Sequence, residues 1–333
     1  MPDLRAAAKV VPVALALAAF PFLVKDPFWQ HVAVLVMVMA SLATAWNILG
    51  GLSGQVSFGH SIFFAVGAYS TAYLLIHARL SPWLGMTAGA VLAVGLGLVI
   101  GVPVFRLRRH HFSIATIAMQ QVLLVVVANT PALGSATGLE VPFAQPSLAN
   151  LQFSIRDQTG YHLVALGLLG LCSLVYWWFA AGRAGAYARA IRDDEDVARA
   201  LGVRAQRIKL QALLLSAALT ALVGGFYAMY ALFVDPNVVL SLGQSIGIVL
   251  VAVLGGVGRA WGPLVGAVIL VVIQETTRVQ LSSRGSGLDL VIYGAIVIVI
   301  AVVQPGGLIG LWERVGGSLL GVQAKSALSR VRR

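Results

Sequence analysis

Uncharged apolar runs dominate this chain of 333 residues, and several extend for 18 residues or more. A helix of about 20 residues crosses roughly 30 Å of hydrocarbon, so each run has the length of a membrane span. A soluble protein could bury one such run in its core, but it could not bury most of its own chain in this way. In this chain, 59% of residues are hydrophobic and only 11% are charged. Outer-membrane barrels show alternating segments of about ten residues, which are absent from the sequence. The chain is therefore predicted to be all-α, a polytopic helical membrane protein.

About ten (eight to ten) apolar runs are candidate transmembrane helices within one domain over 1–333. They cover roughly residues 10–24, 32–50, 60–78, 83–105, 112–130, 161–180, 209–234, 241–256, 262–275 and 288–304. The eighth and ninth runs are short and flanked by glycine, so half-crossings or tilted pieces are alternatives to full spans there.

The first run also has features of a signal peptide. Arg5 and Lys9 precede an apolar stretch in which "ALA" occurs at Ala14–Ala16 and Ala16–Ala18, a pattern typical of cleavage sites. Because the apolar run continues past both sites to Val24, we expect an uncleaved first helix.

Basic residues are distributed unequally between the two sides of this arrangement. With a cytoplasmic N-terminus, 18 of the 23 Lys and Arg lie inside, as the positive-inside rule requires. An even number of spans keeps the basic tail, 305–333, on the same side as the N-terminus. The net charge of +11 is then a property of membrane loops in contact with lipid, and nucleic acid is not an expected partner.

A long external segment covers residues 131–160. It is rich in Pro, Ser, Gly and Asn, with turn signals throughout. Loops of this length in a compact protein usually have a function. We therefore expect a folded cap or docking surface, with a passive connector as the alternative.

The cytoplasmic loop 182–208 contains the densest group of charges in the chain. Opposite charges spaced i,i+4 predict one short helix: Arg189–Asp193, Arg192–Asp196 and Glu195–Arg199. Charged side chains share one face of this helix, and Ala186, Ala190, Val197 and Leu201 share another. Gly202 suits the helix end. Four carboxylates in 193–196 argue against a helix held on anionic lipid, so docking to a protein partner is favoured.

A second unusual segment interrupts the apolar region after residue 49. Four glycines, Gly50, Gly51, Gly54 and Gly59, accompany the polar residues Gln55, Ser57 and His60. Non-helical backbone at membrane depth survives only inside protein or along a cavity. Two interpretations remain open: the segment lines a transport path, or the glycines allow close helix packing while the polar groups bond neighbouring backbone. A short echo of it occurs in "LGGVGRAWGPLVGA", Leu254–Ala267.

Signals of catalysis are missing from the sequence. Cys172 is the only cysteine, and no His, Cys and carboxylate cluster has metal-ligand spacing. No G-x-x-x-x-G-K-[ST] pattern occurs, so this chain is not expected to hydrolyse a nucleotide. The acids Asp235, Glu275 and Asp289 fall near outer ends of predicted spans, which gives no proton relay and counts against a proton-coupled transporter.

Two motifs carry a resemblance to a known family. "GRAGAYARAIRDDEDVARALGVRAQRIKLQALLLSAALTALVGGFYAMY", Gly182–Tyr230, resembles the cytoplasmic loop and following helix of permease subunits of ABC-type importers, and is most similar to the branched-chain amino acid permease family of the LivM type. The family's Glu-Ala-Ala, three residues, Gly pattern falls on Asp196, Val197, Ala198 and Gly202, with Asp for Glu and Val for Ala. "WNILGGLSGQVSFGHSIFFAVGAYSTAYL", Trp46–Leu74, resembles the family's second signature.

The resemblance implies functional residues at two places. Residues expected to couple to an ATPase are Ala190, Arg192, Asp193, Glu195, Asp196, Ala198, Leu201 and Gly202. Residues expected to line the pathway or form its broken helix are Asn47, Gly51, Gly54, Gln55, Ser57, Gly59, His60, Gly67 and Tyr69.

The resemblance also implies a function and partners. The chain is expected to be a non-enzymatic permease subunit in a bacterial inner membrane, importing branched-chain or hydrophobic amino acids. Its expected partners are two cytoplasmic ABC ATPases that bind ATP and Mg²⁺, a second and distinct permease, and an external binding protein; no cofactor is expected on this chain. Urea, amides or other amino acids are alternative substrates, and an ion-coupled secondary transporter or channel is the alternative class.

Overall fold

The structure is a computed structural model that describes residues 15–106, 109–143, 147–153, 158–281 and 294–295. Residues 15–23 of the first predicted span are helical. Residues 10–14 of that run, most of the tenth run, Asp289 and the basic tail 305–333 lie outside the described residues.

Within the described residues the chain is almost entirely helical. Its helices are α1 (Pro27–Ser53), α2 (His60–Ala78), α3 (Pro82–Val104), α4 (Arg109–Ala128), α5 (Thr159–Ala181), α6 (Arg183–Asp193), α7 (Glu195–Ala200), α8 (Ala205–Ala231), α9 (Pro236–Val239), α10 (Leu242–Gly255) and α11 (Gly262–Leu281). The strands β1 (Leu139–Glu140) and β2 (Phe233–Val234) form one antiparallel pair.

Eight helical segments of the described chain are long and apolar enough to cross a membrane, and they confirm the second to ninth predicted spans. The eighth and ninth segments, Pro236–Gly255 and Gly262–Gln280, have 20 and 19 residues. Each segment is therefore long enough for a full crossing. The eighth segment reaches this length because it includes the short helix α9, which the predicted run 241–256 omitted.

Helices α1 and α8 form the centre of the bundle. In their most apolar windows, 83% and 72% of residues are buried, against 17% in α4. Close crossings allow this packing, since Gly67 of α2 faces the backbone of Ala221 and Gly224 of α8 faces the backbone of Phe64. Glycine at such crossings lets two backbones approach where larger side chains would separate them.

The segment 131–160, predicted to be external, is folded onto the bundle, as expected for a cap. Within its described parts, 131–143, 147–153 and 158–160, β1 pairs with β2 and Val141 N donates to Leu232 O at 2.9 Å. Trp83 Nε1 donates to Leu148 O at 2.9 Å. These contacts fix the segment over the ends of α3 and α8, and this side of the molecule is called the cap end.

The opposite side carries the loop of α6 and α7 and is called the α6–α7 end. The turns 54–59 and 256–261 also lie there. The loop 182–208 at this end does not form the single short amphipathic helix that was predicted, because Asp194 is extended (φ −152°, ψ 113°) and divides the segment into two helices.

Candidate functional site

Asp194 separates α6 from α7 by acting as the N-cap of α7. Its Oδ1 accepts hydrogen bonds from Asp196 N at 2.9 Å and Val197 N at 3.1 Å, which satisfies two of the free N–H groups of a helix start. Glu195 and Asp196 then occupy the first turn, where negative charge is favourable. The run of four acids in 193–196 is the sequence signal for this cap, and the prediction of one helix running through it was wrong.

The end of α7 follows the prediction for Gly202. Gly202 has φ 87°, its N–H bonds Arg199 O at 2.9 Å, and Val203 N bonds Ala198 O at 3.0 Å. This pair of bonds is the Schellman arrangement, which uses glycine because the left-handed conformation costs other residues energy.

Two apolar faces, rather than one, exist on the loop helices. Ala188, Ile191 and Ala198 are buried against the bundle, a face that the single-helix interpretation did not find. Val197 and Leu201 belong to the predicted docking face and remain 56% and 80% exposed. The expected coupling residues Ala190, Asp193, Asp196 and Gly202 are also exposed, so this surface is open to another protein.

Arg192 joins α6 to the end of α1. Its Nη1 donates to Gly51 O at 2.7 Å, supplying a partner for a carbonyl in the last turn of α1, where positive charge is also favourable. This contact crosses to another helix, whereas the sequence pattern paired Arg192 with Asp196 along one. Gly54 ends α1 with φ 69° and lies under Arg192, because a Cβ there would meet Arg192 Cγ at 3.1 Å.

Asn47 connects α1 to the turn between α10 and α11. Its Oδ1 accepts from Gly258 N at 2.8 Å and its Nδ2 donates to Arg259 O at 3.0 Å. Tyr176 of α5 donates to Gly258 O at 2.8 Å. Gly258 also lies beside Gly51, since a Cβ on Gly51 would be 2.8 Å from Gly258 N. The two glycine segments of similar sequence therefore meet at this point. That similarity was the sequence signal available for Gly258, whereas no sequence signal pointed to Tyr176.

We call the residues Asn47, Gly51, Tyr176, Arg192 and Gly258 the junction. Four elements meet in it: α1, α5, α6 and the α10–α11 turn. In the junction, Arg192 of α6 lies against the end of α1 and the α10–α11 turn, and Gly258 of that turn connects to α5.

Glu195 makes a second connection from the loop to the bundle. Its carboxylate bonds Arg199 Nη2 and Lys209 Nζ, each at 2.6 Å. The Glu195–Arg199 pair was predicted, whereas Lys209 is a buried residue near the start of α8. Glu195 therefore faces the bundle, while its neighbours Asp193 and Asp196 face outward.

The broken segment between α1 and α2 is held by bonds within the chain. Trp46 Nε1 donates to Ser57 O at 2.8 Å, and Phe58 N donates to Thr116 Oγ1 at 3.1 Å. His60 Nε2 lies 2.6 Å from Ser216 Oγ, and Gln55 is buried. These contacts are those of the packing interpretation, and the cavity beside Ser57 has only about 10 Å³ of free space.

A larger space lies further along α2. A cleft of about 460 Å³ opens between α2, α3 and α4 and is lined almost entirely by apolar side chains, with Tyr69 and Tyr73 among them. Of the residues expected along a pathway, Tyr69 borders this cleft, whereas Gly67 is used for packing. The assignment of the whole set to a pathway stays a prediction.

Charged groups inside the described bundle are few and local. Asp235 Oδ1 caps α9 by accepting from Asn237 N at 2.8 Å, and Glu275 is buried with Arg278 Nη1 at 3.9 Å. No group of three or more potential metal ligands occurs in the described part of the chain.

Comparison with known proteins identifies the family. Residues 29–301 match the family described as "Branched-chain amino acid transport system / permease component". The permease protein LivM of the high-affinity branched-chain amino acid transport system of Escherichia coli is 28% identical over 323 residues, covering 90% of this chain and 74% of the relative. LivH of the same organism is 24% identical over 296 residues, covering 81% and 91%. No protein of solved structure matches. The chain belongs to the branched-chain amino acid transport permease family.

Proposed function

We propose that this chain is the LivM-like permease subunit of an ATP-driven importer for branched-chain amino acids in a bacterial inner membrane. The similarity to LivM and LivH supports the transport role and the substrate class. ATP and Mg²⁺ would bind to two separate ATPase subunits, in keeping with the missing nucleotide-binding pattern in this sequence. A second permease and an external binding protein complete the proposed system.

The observation that carries the proposal is the exposed apolar surface of α7 together with its rigid connection to the bundle. Val197 and Leu201 are large apolar side chains left open outside the transmembrane helices. Exposed apolar patches of this kind are typical of protein–protein contacts. Behind them, Arg192 and Glu195 tie the same loop to α1 and α8.

This arrangement supports a mechanical route for energy coupling. An ATPase that binds at Leu201 would displace α7 when it changes conformation. The Glu195–Lys209 ion pair would then transmit that displacement to α8. Through Arg192, α6 would move the end of α1 and the α10–α11 turn. The chain's own residues thus convert a push at the α6–α7 end into a rearrangement of central helices.

Leu201→Asp tests the docking surface in the co-expressed system of both permeases and the ATPases. We expect the ATPases that co-purify with the chain to fall at least tenfold, because an interface anchor of this size contributes about 1.4 kcal/mol or more. Leu148→Asp, at an exposed position of the cap end, is the matched control and should retain the ATPases. Equal capture by both variants would contradict the proposal.

Transport in proteoliposomes separates the two functional classes. Proteoliposomes that contain the complete complex should accumulate leucine only when ATP is enclosed in the lumen and the ATPases face the lumen. Proteoliposomes that contain the purified chain alone should not take up leucine in response to a proton or sodium gradient. Gradient-driven uptake by the chain alone would instead establish the secondary-transporter alternative. Urea and a small amide, supplied in parallel with their binding proteins, test the alternative substrates.

A further inference from the structure

The outward face of α4 is unusual among the described transmembrane helices. Only 17% of its apolar window is buried, the lowest share of the eight segments. Its other face is well connected: Ser113 Oγ donates to Val56 O at 2.7 Å, Thr116 accepts from Phe58 N, and Gln120 Nε2 donates to Leu240 O. Helix α4 is therefore fixed to the bundle along one side, and the described residues leave its other side uncovered.

A polar side chain lies on the uncovered side near the middle of the apolar window of α4, His111–Ala128. Gln121 is exposed, and it is roughly 15 Å along the helix from His111 and roughly 10 Å from Ala128 at 1.5 Å per residue. It makes no hydrogen bond to the described part of the chain. Lipid tails offer no donor or acceptor, so an amide at this depth is costly unless protein or water meets it.

The apolar neighbours of Gln121 have the spacing of a helix-packing seam. Ile114, Ala118, Gln121 and Val125 are exposed and follow one another at intervals of four, three and four residues. A 4-3-4 pattern keeps one stripe against a neighbouring helix. A single polar residue within such a stripe selects the partner and fixes the register, because it must meet a complementary group.

We propose that this seam of α4, centred on Gln121, is the contact surface for a transmembrane helix of the second permease subunit. The proposal rests on the proposed function, in which two permeases act together. The partner helix places a hydrogen-bonding side chain or backbone group opposite Gln121, and apolar or small side chains opposite Ile114, Ala118 and Val125. Lipid cannot supply the first requirement, and the other described parts of this chain leave the seam open.

Site-specific photo-cross-linking tests this surface in the complete complex. p-Benzoylphenylalanine replaces Val125 in the seam, or Leu174 of α5 as a matched control that is also highly exposed. The benzophenone reacts with any neighbouring C–H group, and peptide mass spectrometry identifies the adduct. An adduct at Val125 with the second permease supports the proposal. Adducts at Val125 with lipid alone, with an ATPase or with this chain would overturn it.

Gln121→Leu tests the amide itself. If Gln121 forms a hydrogen bond across a subunit contact, its loss should lower the amount of second permease that stays bound to the chain after a detergent wash by about threefold or more. This is the range expected for one interhelical hydrogen bond in a membrane. Val122→Leu, the neighbouring apolar control, should leave it unchanged. Unchanged retention in Gln121→Leu, with normal yield of the chain, would refute the role of the amide.

Co-purification of the ATPases distinguishes a failure of this inference from a failure of the proposed function. If ATPases co-purify while Val125 gives no adduct with the second permease, only the α4 surface is wrong. If ATPases do not co-purify with the unaltered chain, the importer function itself fails.

Discussion

Gly54 meets two structural requirements at one backbone position. Its φ of 69° is a left-handed conformation, and a Cβ would come within 3.1 Å of Arg192 Cγ. The first requirement ends α1, and the second lets α6 lie directly against that end. Left-handed backbone costs a residue with a Cβ about 1–2 kcal/mol, and the close approach adds to that cost.

Gly54→Ala should therefore lower the free energy of unfolding by about 2 kcal/mol. The measurement is thermal unfolding of the purified chain in detergent. Gly95→Ala is the control, because Gly95 lies inside α3 and a methyl group added there would meet no atom within 4 Å. That variant should be neutral or slightly stabilised. Similar unfolding midpoints for both variants would show that neither the left-handed backbone at Gly54 nor its close approach to Arg192 requires glycine.

The Glu195–Lys209 pair is a second test at the scale of residues. The Lys209 side chain is only 4% exposed and its Nζ lies 2.6 Å from Glu195 Oε2. Removing one member of a buried pair leaves a poorly solvated charge, so Glu195→Gln should destabilise the chain by on the order of 3 kcal/mol. Adding Lys209→Met should restore part of that loss, because the remaining charge disappears.

Thermal unfolding of the single and double variants gives the coupling energy of this pair. Asp193→Asn, which alters an exposed carboxylate of the same loop, is the control and should change stability little. Strictly additive effects of Glu195→Gln and Lys209→Met would contradict a direct interaction.

At the scale of elements, apolar run length predicted the transmembrane helices well. Runs 60–78 and 83–105 correspond to His60–Ala78 and Pro82–Val104, because a helix in lipid must satisfy its own backbone and be apolar throughout. The i,i+4 charge spacing predicted one helix in the loop and failed where a break depends on one side chain, because Asp194 ends α6 and caps α7. The place of Tyr176 in the junction was also beyond prediction, since Tyr176 and Gly258 are 82 residues apart and meet only through tertiary packing.

Asn47→Leu tests the junction as a connection between elements. Asn47 is fully buried in α1, and the substitution removes the amide that Gly258 N and Arg259 O both use. The expected loss of stability is about 2 kcal/mol. In proteoliposomes, leucine uptake per ATP hydrolysed should fall, because α1 no longer follows the α10–α11 turn.

Ser41→Ala is the matched control for this experiment. Ser41 is buried in the same helix, but its hydroxyl donates only to Met37 O one turn earlier. Uptake per ATP should stay near that of the unaltered chain. A comparable decrease in both variants would show that α1 responds to any lost buried hydrogen bond, and the junction would have no special part in coupling.

At the scale of the whole molecule, the two ends differ in construction. The cap end is closed by β1, β2 and a loop tied to Trp83, whereas the α6–α7 end exposes Leu201 beside charged residues. The positive-inside rule predicts that the α6–α7 end is cytoplasmic, because Arg183, Arg189 and Arg204 are among the basic residues of that loop. The proposed ATPase contact requires the same orientation.

Orientation can be measured because Cys172 is the only cysteine and is buried. In a Cys172→Ala background, Leu148→Cys marks the cap end and Leu201→Cys marks the α6–α7 end, both at exposed positions. The chain is expressed without partner subunits so that α7 stays uncovered, and a membrane-impermeant maleimide is applied. Leu148→Cys should react in spheroplasts, and Leu201→Cys only in inverted vesicles. The reverse pattern would invert the orientation and remove the ATPase contact from α7, whereas labelling of both from one side would contradict the separation of the two ends.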